Sequence, residues 1–350
     1  MPELSSHKIP VTVLTGYLGA GKTTLLNRIL SENHGKKYAV IVNEFGEIGI
    51  DNDLIIGADE EVFEMNNGCV CCTVRGDLVR ILDGLMKRKG KFDAIIVETT
   101  GLADPAPVAQ TFFVDEDVQR NAKLDAVVTV ADAKWLADRL KDAPEAKNQI
   151  AFADVIVLNK TDLVSKGELA EVEARIRGIN PYAKLHRTER CKVELSDVLE
   201  RGAFDLDRIL EIEPDFLEAG DDHDHDHDHH HGHDHHHHDQ DHGHGLKHYH
   251  DEEMQSLSLR SDKPLNPATF MPWLQNLVAT EGQKILRSKG ILSFAEDDDR
   301  YVFQGVHMML EGDHQRKWKE GEPRESRLVF IGRELPEQKI REGFEYCIVT

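Results

Sequence analysis

The chain has 350 residues and a formal net charge of −22. Because one hydrophobic core seldom organises a chain of this length, we expect two domains. Such an acidic protein disfavours nucleic acid and anionic membranes as main partners, and it suits the handling of cations. Residues 1–7 are polar, unlike a signal peptide, and no apolar run reaches the roughly 18 residues of a membrane span. We therefore predict a cytoplasmic protein, whose thiols stay reduced.

Strands and helices are predicted to alternate from Ile9 to Ile212. Strand-like runs lie at 9–14, 39–43, 62–65, 94–97, 126–130, 155–159 and 183–187. Helix-like runs follow most of them, at 24–30, 76–89, 105–113 and 167–179. This alternation predicts an α/β domain over residues 1–212, with a mostly parallel sheet and helices on both faces.

A glycine-rich segment between the first predicted strand and the first helix fits the pattern G-x-x-x-x-G-K-[ST]. Such a turn points backbone N–H groups at a phosphate, beside a helix N-terminus that favours negative charge. Lys22 would reach the β- and γ-phosphates and Thr23 would ligate Mg²⁺. The candidate nucleotide-binding residues here are Gly16, Gly19, Ala20, Gly21, Lys22, Thr23 and Thr24. The alternative, a glycine-rich turn with an incidental lysine, is disfavoured by the complete match.

Three of the chain's five cysteines, Cys69, Cys71 and Cys72, fall within four positions. Adjacent Cys71 and Cys72 are unsuited to an ordinary structural disulfide with each other, whereas thiolates suit Zn²⁺, Co²⁺ or Cu⁺. The competing interpretations are buried core cysteines or a redox pair. Because the loop signal Asn66-Asn67-Gly68 precedes them, metal binding is the favoured hypothesis.

Two strand ends supply the remaining nucleotide candidates. Glu98 ends the strand 94–97 and suits a water-mediated Mg²⁺ contact, while the Gly101 N–H would approach the γ-phosphate. The alternative is an ordinary strand-end carboxylate and a turn glycine.

The sequence N-K-T-D, which supplies Asn159, Lys160 and Asp162, follows the strand 155–159. A carboxylate there would accept two hydrogen bonds from guanine, which adenine does not offer, so GTP is favoured over ATP.

Residues 221–250 hold fifteen of the twenty histidines, interleaved mainly with aspartate. With almost no apolar residues, this tract should be disordered, and its neutral imidazoles would ligate divalent metals. We place it in a linker over residues 213–253. The tract is internal and irregular, which argues against an expression tag.

A second domain is predicted over residues 254–350. Its pattern is strand (255–260), helix (267–280), strand (284–294), strand (301–310), strand (327–332) and helix (336–344). Asn266 before Pro267 predicts a helix N-cap. The order resembles a ferredoxin-like α+β sandwich, in which Trp273, Trp318 and Phe330 should be core or interface residues.

Taken together, these motifs resemble the CobW family of metallochaperone GTPases, which are SIMIBI-class P-loop proteins. The matching segments are G-Y-L-G-A-G-K-T-T from Gly16, V-N-E-F-G-E from Val42, C-V-C-C from Cys69, E-T-T-G-L-A-D-P from Glu98, N-K-T-D from Asn159, and residues 300–306 and 328–332. A histidine-rich tract between the domains is also found in this family. The resemblance covers nearly the whole chain.

The resemblance implies GTP-dependent delivery of a transition metal, usually zinc and in some members cobalt, to a client metalloprotein. It assigns the metal to Cys69, Cys71 and Cys72, with Glu47 as an acidic residue near the metal and nucleotide. Val42 stands where some members carry a further acidic ligand, so that contact is absent here. Because Leu102 and Ala103 rather than glutamine follow Gly101, hydrolysis should be slow unless the metal, the client or a nucleotide-dependent homodimer completes the site.

Three alternatives stay open. The same motifs would serve a cobalt chaperone for cobalamin synthesis. The histidine tract would also serve a metal buffer with vestigial hydrolysis, and the cysteines would serve a regulatory GTPase with a purely structural zinc. Nucleotide-dependent metal affinity distinguishes the chaperone from the last two.

Overall fold

Parallel strands form the sheet of the N-terminal domain. A computed structural model of the chain describes residues 8–32, 35–43, 62–65, 72–87, 92–203, 253–319 and 321–349. Within them, the strands of this sheet are β1 (Ile9–Thr15), β2 (Tyr38–Asn43), β3 (Val62–Met65), β4 (Ala94–Glu98), β5 (Ala122–Asp132), β6 (Val155–Asn159) and β7 (Lys184–Arg187). Their order is β3-β2-β4-β1-β5-β6-β7, and every neighbouring pair is parallel.

The strands form where the sequence predicts them because the central ones are continuous apolar runs. Every residue of β4 and β6 is buried, as a parallel sheet covered on both faces requires. β5 is longer than the predicted 126–130, because Lys123 and Asp125 interrupt its apolar run. Asp125 lies at a register shift between β1 and β5 and accepts hydrogen bonds from the backbone of Arg201 and Gly202, at 3.0 and 2.7 Å.

The described helices of this domain are α1 (Lys22–Ser31), α2 (Cys72–Met86), α3 (Ala106–Val114), α4 (Glu116–Asn121), α5 (Leu136–Asp142), α6 (Pro144–Phe152) and α7 (Lys166–Ile179). Three of them, α4, α5 and α6, lie outside the predicted helices. α4 and α5 have only six and seven residues, too few for a helical period to show. α6 is buried at every residue from Ala146 to Phe152, so its polar residues mark no outer face.

The C-terminal domain is an antiparallel sheet with helices. Its elements are β8 (Met254–Ser261), α8 (Pro267–Glu281), β9 (Ile285–Ser293), β10 (Asp299–Val306), β11 (Met309–Lys317), β12 (Ser326–Arg333) and α9 (Glu337–Tyr346). The strand order is β11-β10-β9-β12-β8. β8 and β9, joined by α8, flank β12, which is antiparallel to both. The predicted cap is confirmed, since the Asn266 side chain accepts a hydrogen bond from Ala268 N at 2.9 Å.

The prediction of one strand over 301–310 is wrong, because the chain turns within it. β10 ends at Val306 and β11 begins at Met309. His307 makes the turn with φ of 51°. Glycine or asparagine usually occupies this left-handed conformation, so the histidine gives no turn signal in the sequence. β11 is largely exposed and polar, so no apolar alternation marks it.

The C-terminal sheet is covered on both faces. One face packs on α8 and α9 around Phe270 and Phe330. The other face shares a core with the N-terminal domain through Leu286, Val302 and Trp318, among others. The predicted fold class, a P-loop-type α/β domain with a smaller α+β domain, is confirmed. The predicted linker 213–253 lies almost wholly outside the described residues, and its boundaries stay a prediction.

Candidate nucleotide site

The phosphate loop leaves β1 at Thr15 and enters α1 at Lys22. Its backbone is pressed against the neighbouring strands. A Cβ on Gly16, where φ is 140°, would lie 2.1 Å from Val130 O, and one on Gly21, where φ is 119°, would lie 2.6 Å from Asn159 Nδ2. At both positions, the positive φ and the short distance to the neighbouring atom exclude any residue with a side chain.

Lys22 lies inside this loop. Its side chain is only 9% exposed, and Nζ donates a hydrogen bond to Gly16 O at 2.8 Å. The ammonium group is thus held over the loop backbone, beside the N-terminus of α1. A positive charge and a helix N-terminus at one place make a binding site for phosphate.

The N-K-T-D residues divide into two groups. Asn159 Nδ2 donates to Ala20 O at 2.9 Å, and Lys160 Nζ donates to Gly19 O at 2.8 Å and pairs with Asp132 at 2.6 Å. These two side chains therefore hold the phosphate loop. Asp162 is exposed, and within the described residues its carboxylate makes no hydrogen bond or ion pair, so it is available to a ligand.

A loop after β7 completes this side of the site and lies outside the sequence-based candidates. Cys191 N donates to Asn159 Oδ1 at 2.8 Å, and Cys191 Sγ lies 3.4 Å from Gly21 O. Arg190 and Cys191 have φ of 51° and 54°. Burial raises the pKa of the Cys191 thiol to about 11 against the smaller effect of Arg28, so this cysteine is a packing group rather than a thiolate. Its position after the last parallel strand is the one signal that could have located it.

The loop after β4 lies against the phosphate loop. Thr99 N donates to Leu14 O at 3.0 Å and Thr99 Oγ1 to Thr15 Oγ1 at 2.9 Å. A Cβ on Gly101 would lie 2.6 Å from Leu18 N. Gly101 therefore adjoins the phosphate loop.

The residues present fit Mg²⁺, which prefers oxygen ligands. Glu98 ends β4 beside Leu14 of β1 and is 6% exposed, so its carboxylate oxygens belong to the carboxyl edge of the sheet at which the phosphate loop begins. Thr23 follows Lys22 in the first turn of α1. Its hydroxyl would supply a second oxygen ligand at the same edge of the sheet.

Most of the candidate ligands for the transition metal lie outside the residues that the structure describes. Glu47, Cys69 and Cys71 lie outside the described residues, and Cys72 is described only as the first residue of α2. Among the described residues, no group of three or more His, Cys, Asp or Glu side chains is arranged to hold a metal ion. Within the same part of the chain, no helix has the length and apolar character needed to cross a bilayer.

Comparison with known proteins decides the family. Residues 10–187 match the family described as CobW/HypB/UreG, nucleotide-binding domain, and residues 254–348 match the cobalamin synthesis protein cobW C-terminal domain. The chain belongs to the CobW/HypB/UreG family. The resemblance inferred from the motifs is thereby confirmed.

Relatives within the CobW/HypB/UreG family span nearly the whole chain. The zinc chaperone YjiA of Escherichia coli is 33% identical over 343 residues, which cover 97% of this chain and 98% of the relative. The zinc-regulated GTPase metalloprotein activator 1 of Schizosaccharomyces pombe is 34% identical over 326 residues, covering 87% and 76%. The crystal structure of Zn(II)-bound YjiA GTPase from Escherichia coli is similar with a TM-score of 0.73 and 29% identity, covering 98% and 99%. With its own phosphate loop and N-K-T-D sequence, the chain is a GTPase.

Proposed function

We propose that this GTPase is a metallochaperone that binds Zn²⁺ at Cys69, Cys71 and Cys72 and passes it to a client metalloprotein when GTP is hydrolysed. The observation that supports this most is the match over 97% of the chain to a protein named as a zinc chaperone. In this proposal, Glu47 is a further acidic ligand near the metal. The client and the ion are substrates of the cycle.

Sheet topology supports coupling between the cysteines and the nucleotide. β3 and β4 flank β2, and Met65 and Glu98 lie at the same carboxyl edge, opposite Asn43 and Val42. Strands two apart are separated by roughly 10 Å. In the sequence, the cysteine motif lies between the end of β3 at Met65 and the start of α2 at Cys72, which supports the proposal of a metal site near the edge that carries Glu98. The segment with Glu47 leaves β2 at that edge too.

The contacts of the site support the following nucleotide roles. Lys22 and the backbone N–H groups of the phosphate loop bind the phosphates, and Gly101 meets the γ-phosphate. Thr23 and Glu98 would hold Mg²⁺, which would neutralise charge on the phosphates. Asp162 reads guanine, while Asn159 and Lys160 hold the loop that positions the phosphates. GTP binding would then order the segment that bears Glu47, and metal affinity is higher in the GTP state.

Zinc titration of the full chain in two nucleotide states tests this proposal. With a competing chelator, we expect tighter binding with a non-hydrolysable GTP analogue than with GDP. The double variant Cys71→Ser, Cys72→Ser should lose the tight site, whereas Cys347→Ser, a buried thiol of the C-terminal domain, should keep it. Equal zinc affinity in the two states would contradict the proposal and favour a structural zinc. Repeating the titration with Co²⁺ compares the cobalt alternative.

The histidine tract is expected to bind metal in a different way. Because the composition of the tract predicts a flexible chain, each bound ion would have to order it, and affinity should be lower than at the cysteines. Deleting residues 221–250 should reduce the number of bound ions but leave one tight, nucleotide-dependent site, as measured by the same titration. Loss of the tight site on deletion would show that the cysteines are not its ligands on their own.

A further inference from the structure

Helix α6 lies between the loop after β4 and the C-terminal domain. Gln149, which is 1% exposed, donates from Nε2 to Gly101 O at 3.2 Å and to Ala103 O at 3.1 Å. At the end of the same helix, Phe152 O accepts a hydrogen bond from Arg287 of β9 at 2.5 Å, and the Phe152 ring lies 5.7 Å from that of His307. One short helix, buried from Ala146 to Phe152, therefore contacts both the loop and the second domain.

A continuous chain of polar contacts runs through this helix. Asp104 Oδ1 accepts from Ala106 N at 2.9 Å, and Asp104 Oδ2 accepts from Asn148 Nδ2 at 2.8 Å. Asn148 Oδ1 accepts in turn from the Arg333 guanidinium at 2.6 Å. The carboxylate and the guanidinium fix the orientation of the amide between them, because only the nitrogen of Asn148 donates and only its oxygen accepts.

These contacts give the loop a position before any nucleotide binds. Asp104 closes the loop that begins at Glu98, and Gln149 holds the carbonyls of Gly101 and Ala103. Holding the backbone of a loop in its bound conformation lowers the entropic cost of binding. GDP lacks the γ-phosphate that Gly101 would contact. The lower entropic cost should therefore raise the affinity for GTP and leave the affinity for GDP unchanged.

We propose that Arg333, acting through Asn148 and Asp104, positions the loop 98–104 for the γ-phosphate, so that the C-terminal domain sets the affinity for GTP relative to GDP. This inference rests on the proposed role of Gly101. Arg333 is a positioning residue, since it touches only Asn148 in this chain of contacts. By linkage, GTP must stabilise the contact between Arg333 and Asn148 to the same extent, so nucleotide state is communicated to β12.

The test measures nucleotide binding to the full chain without a transition metal. Dissociation constants for a fluorescent GTP analogue and for fluorescent GDP are compared in the wild type, Arg333→Ala, Asn148→Ala and the double variant. We expect Arg333→Ala to weaken the GTP analogue by about 5-fold or more, in the usual range of coupling between sites, and to leave GDP within about 2-fold. Arg333→Ala should add nothing in the Asn148→Ala background, because the path is already interrupted.

Two further variants separate positioning from general stabilisation. Arg333→Lys retains a donor and should recover part of the GTP affinity. Arg341→Ala removes an exposed ion pair with Glu337 on α9 and should change neither affinity. Asn148→Asp keeps the size and the Arg333 contact but sets a carboxylate against Asp104, so it should also weaken GTP selectively.

Equal weakening of both nucleotides, unchanged GTP affinity in Arg333→Ala, or additive effects in the double variant would overturn the inference. None of these results depends on zinc. A wild-type chain that failed to bind GTP would instead count against the proposed function itself.

Discussion

Single residues of the N-K-T-D sequence perform different tasks in this site. Asn159 and Lys160 donate to carbonyls of the phosphate loop, whereas Asp162 faces solvent with its carboxylate unengaged among the described residues. With the role proposed for Asp162, the motif joins base recognition to the shape of the phosphate loop. A change at Asp162 should alter base selectivity and leave the loop intact.

Asp162→Asn should weaken GTP binding and improve relative binding of xanthosine triphosphate, whose base has a carbonyl where guanine has an amine. Loss of hydrogen bonds to a charged acceptor is worth about 1.5–3 kcal/mol, or roughly 10- to 100-fold in affinity. Dissociation constants for GTP, xanthosine triphosphate and ATP measure the effect. Asp142→Asn, at an exposed position of α5, is the matched control. Comparable wild-type affinities for ATP and GTP would refute this role.

The sequence pattern located functional residues that belong to motifs, and it missed residues that reach the site from distant parts of the chain. Lys22, Glu98 and Asp162 are at strand ends or in a recognisable turn. Cys191 reaches Gly21 from a separate loop, and Gln149 holds Gly101 from a helix with no surface pattern. No motif marks either contact, and the one signal for Cys191 is its position after the last parallel strand, because each contact depends on which strands are neighbours. The roles of the motif residues stay predictions.

Among the elements, the phosphate loop is constrained most by its neighbour β5. Gly16 has φ of 140°, and a Cβ there would lie 2.1 Å from Val130 O, a backbone atom that cannot move aside. Gly84 of α2 offers the opposite case, since a Cβ there meets nothing within 4 Å. The same substitution should therefore have opposite effects in the two elements.

Gly16→Ala should destabilise the fold by about 1–3 kcal/mol or more, the usual range for overpacking, and should abolish nucleotide binding. Gly84→Ala should stabilise it by about 0.5–1 kcal/mol, because alanine loses less entropy in a helix. Urea denaturation of both variants gives the two free energies. Equal stability of Gly16→Ala and the wild type would show that the loop can shift away from β5.

Prediction of elements succeeded where burial imposes a pattern. β4 and β6 are buried at each residue and read as apolar runs, and Asn266 marks the start of α8. α6 and β11 were missed for opposite reasons. From Ala146 to Phe152, α6 is buried despite its polar residues, whereas β11 is exposed along most of its length. Neither has the one-sided burial that makes a period visible.

At the scale of the whole molecule, a buried ionic cluster joins the two domains. Asp154, which is 1% exposed, pairs with Arg287 and, at 3.2 Å, with Lys289 of β9. Burial alone would raise the pKa of Asp154, but these two cations and the hydrogen bond from Val127 N hold it below its ordinary value of 3.8. Two domains were expected from chain length, but no sequence pattern indicated which residues pair across their interface.

Asp154→Ala should destabilise the chain by about 3–5 kcal/mol at neutral pH, because it removes the buried carboxylate that pairs with both Arg287 and Lys289. Since the folded pKa is depressed, the stabilisation by Asp154 is present above pH 3.8 and is lost as pH falls through the folded pKa. Chemical denaturation at neutral and acidic pH measures both effects. Asp298→Ala, which removes the exposed pair with Arg324, should change stability by less than about 1 kcal/mol. A similar loss in both variants would contradict the special role of the cluster.

Because the two sheets share a core, the two domains should not be soluble as separate fragments. Cutting after Ala203 would uncover the apolar side of α6 on one fragment, and the inner face of the C-terminal sheet, with Leu286, Val302 and Val329, on the other. Exposed apolar faces of this kind promote aggregation. The halves should therefore be soluble only when produced together, and a protease that nicks the intervening segment should leave a complex that still purifies as one particle.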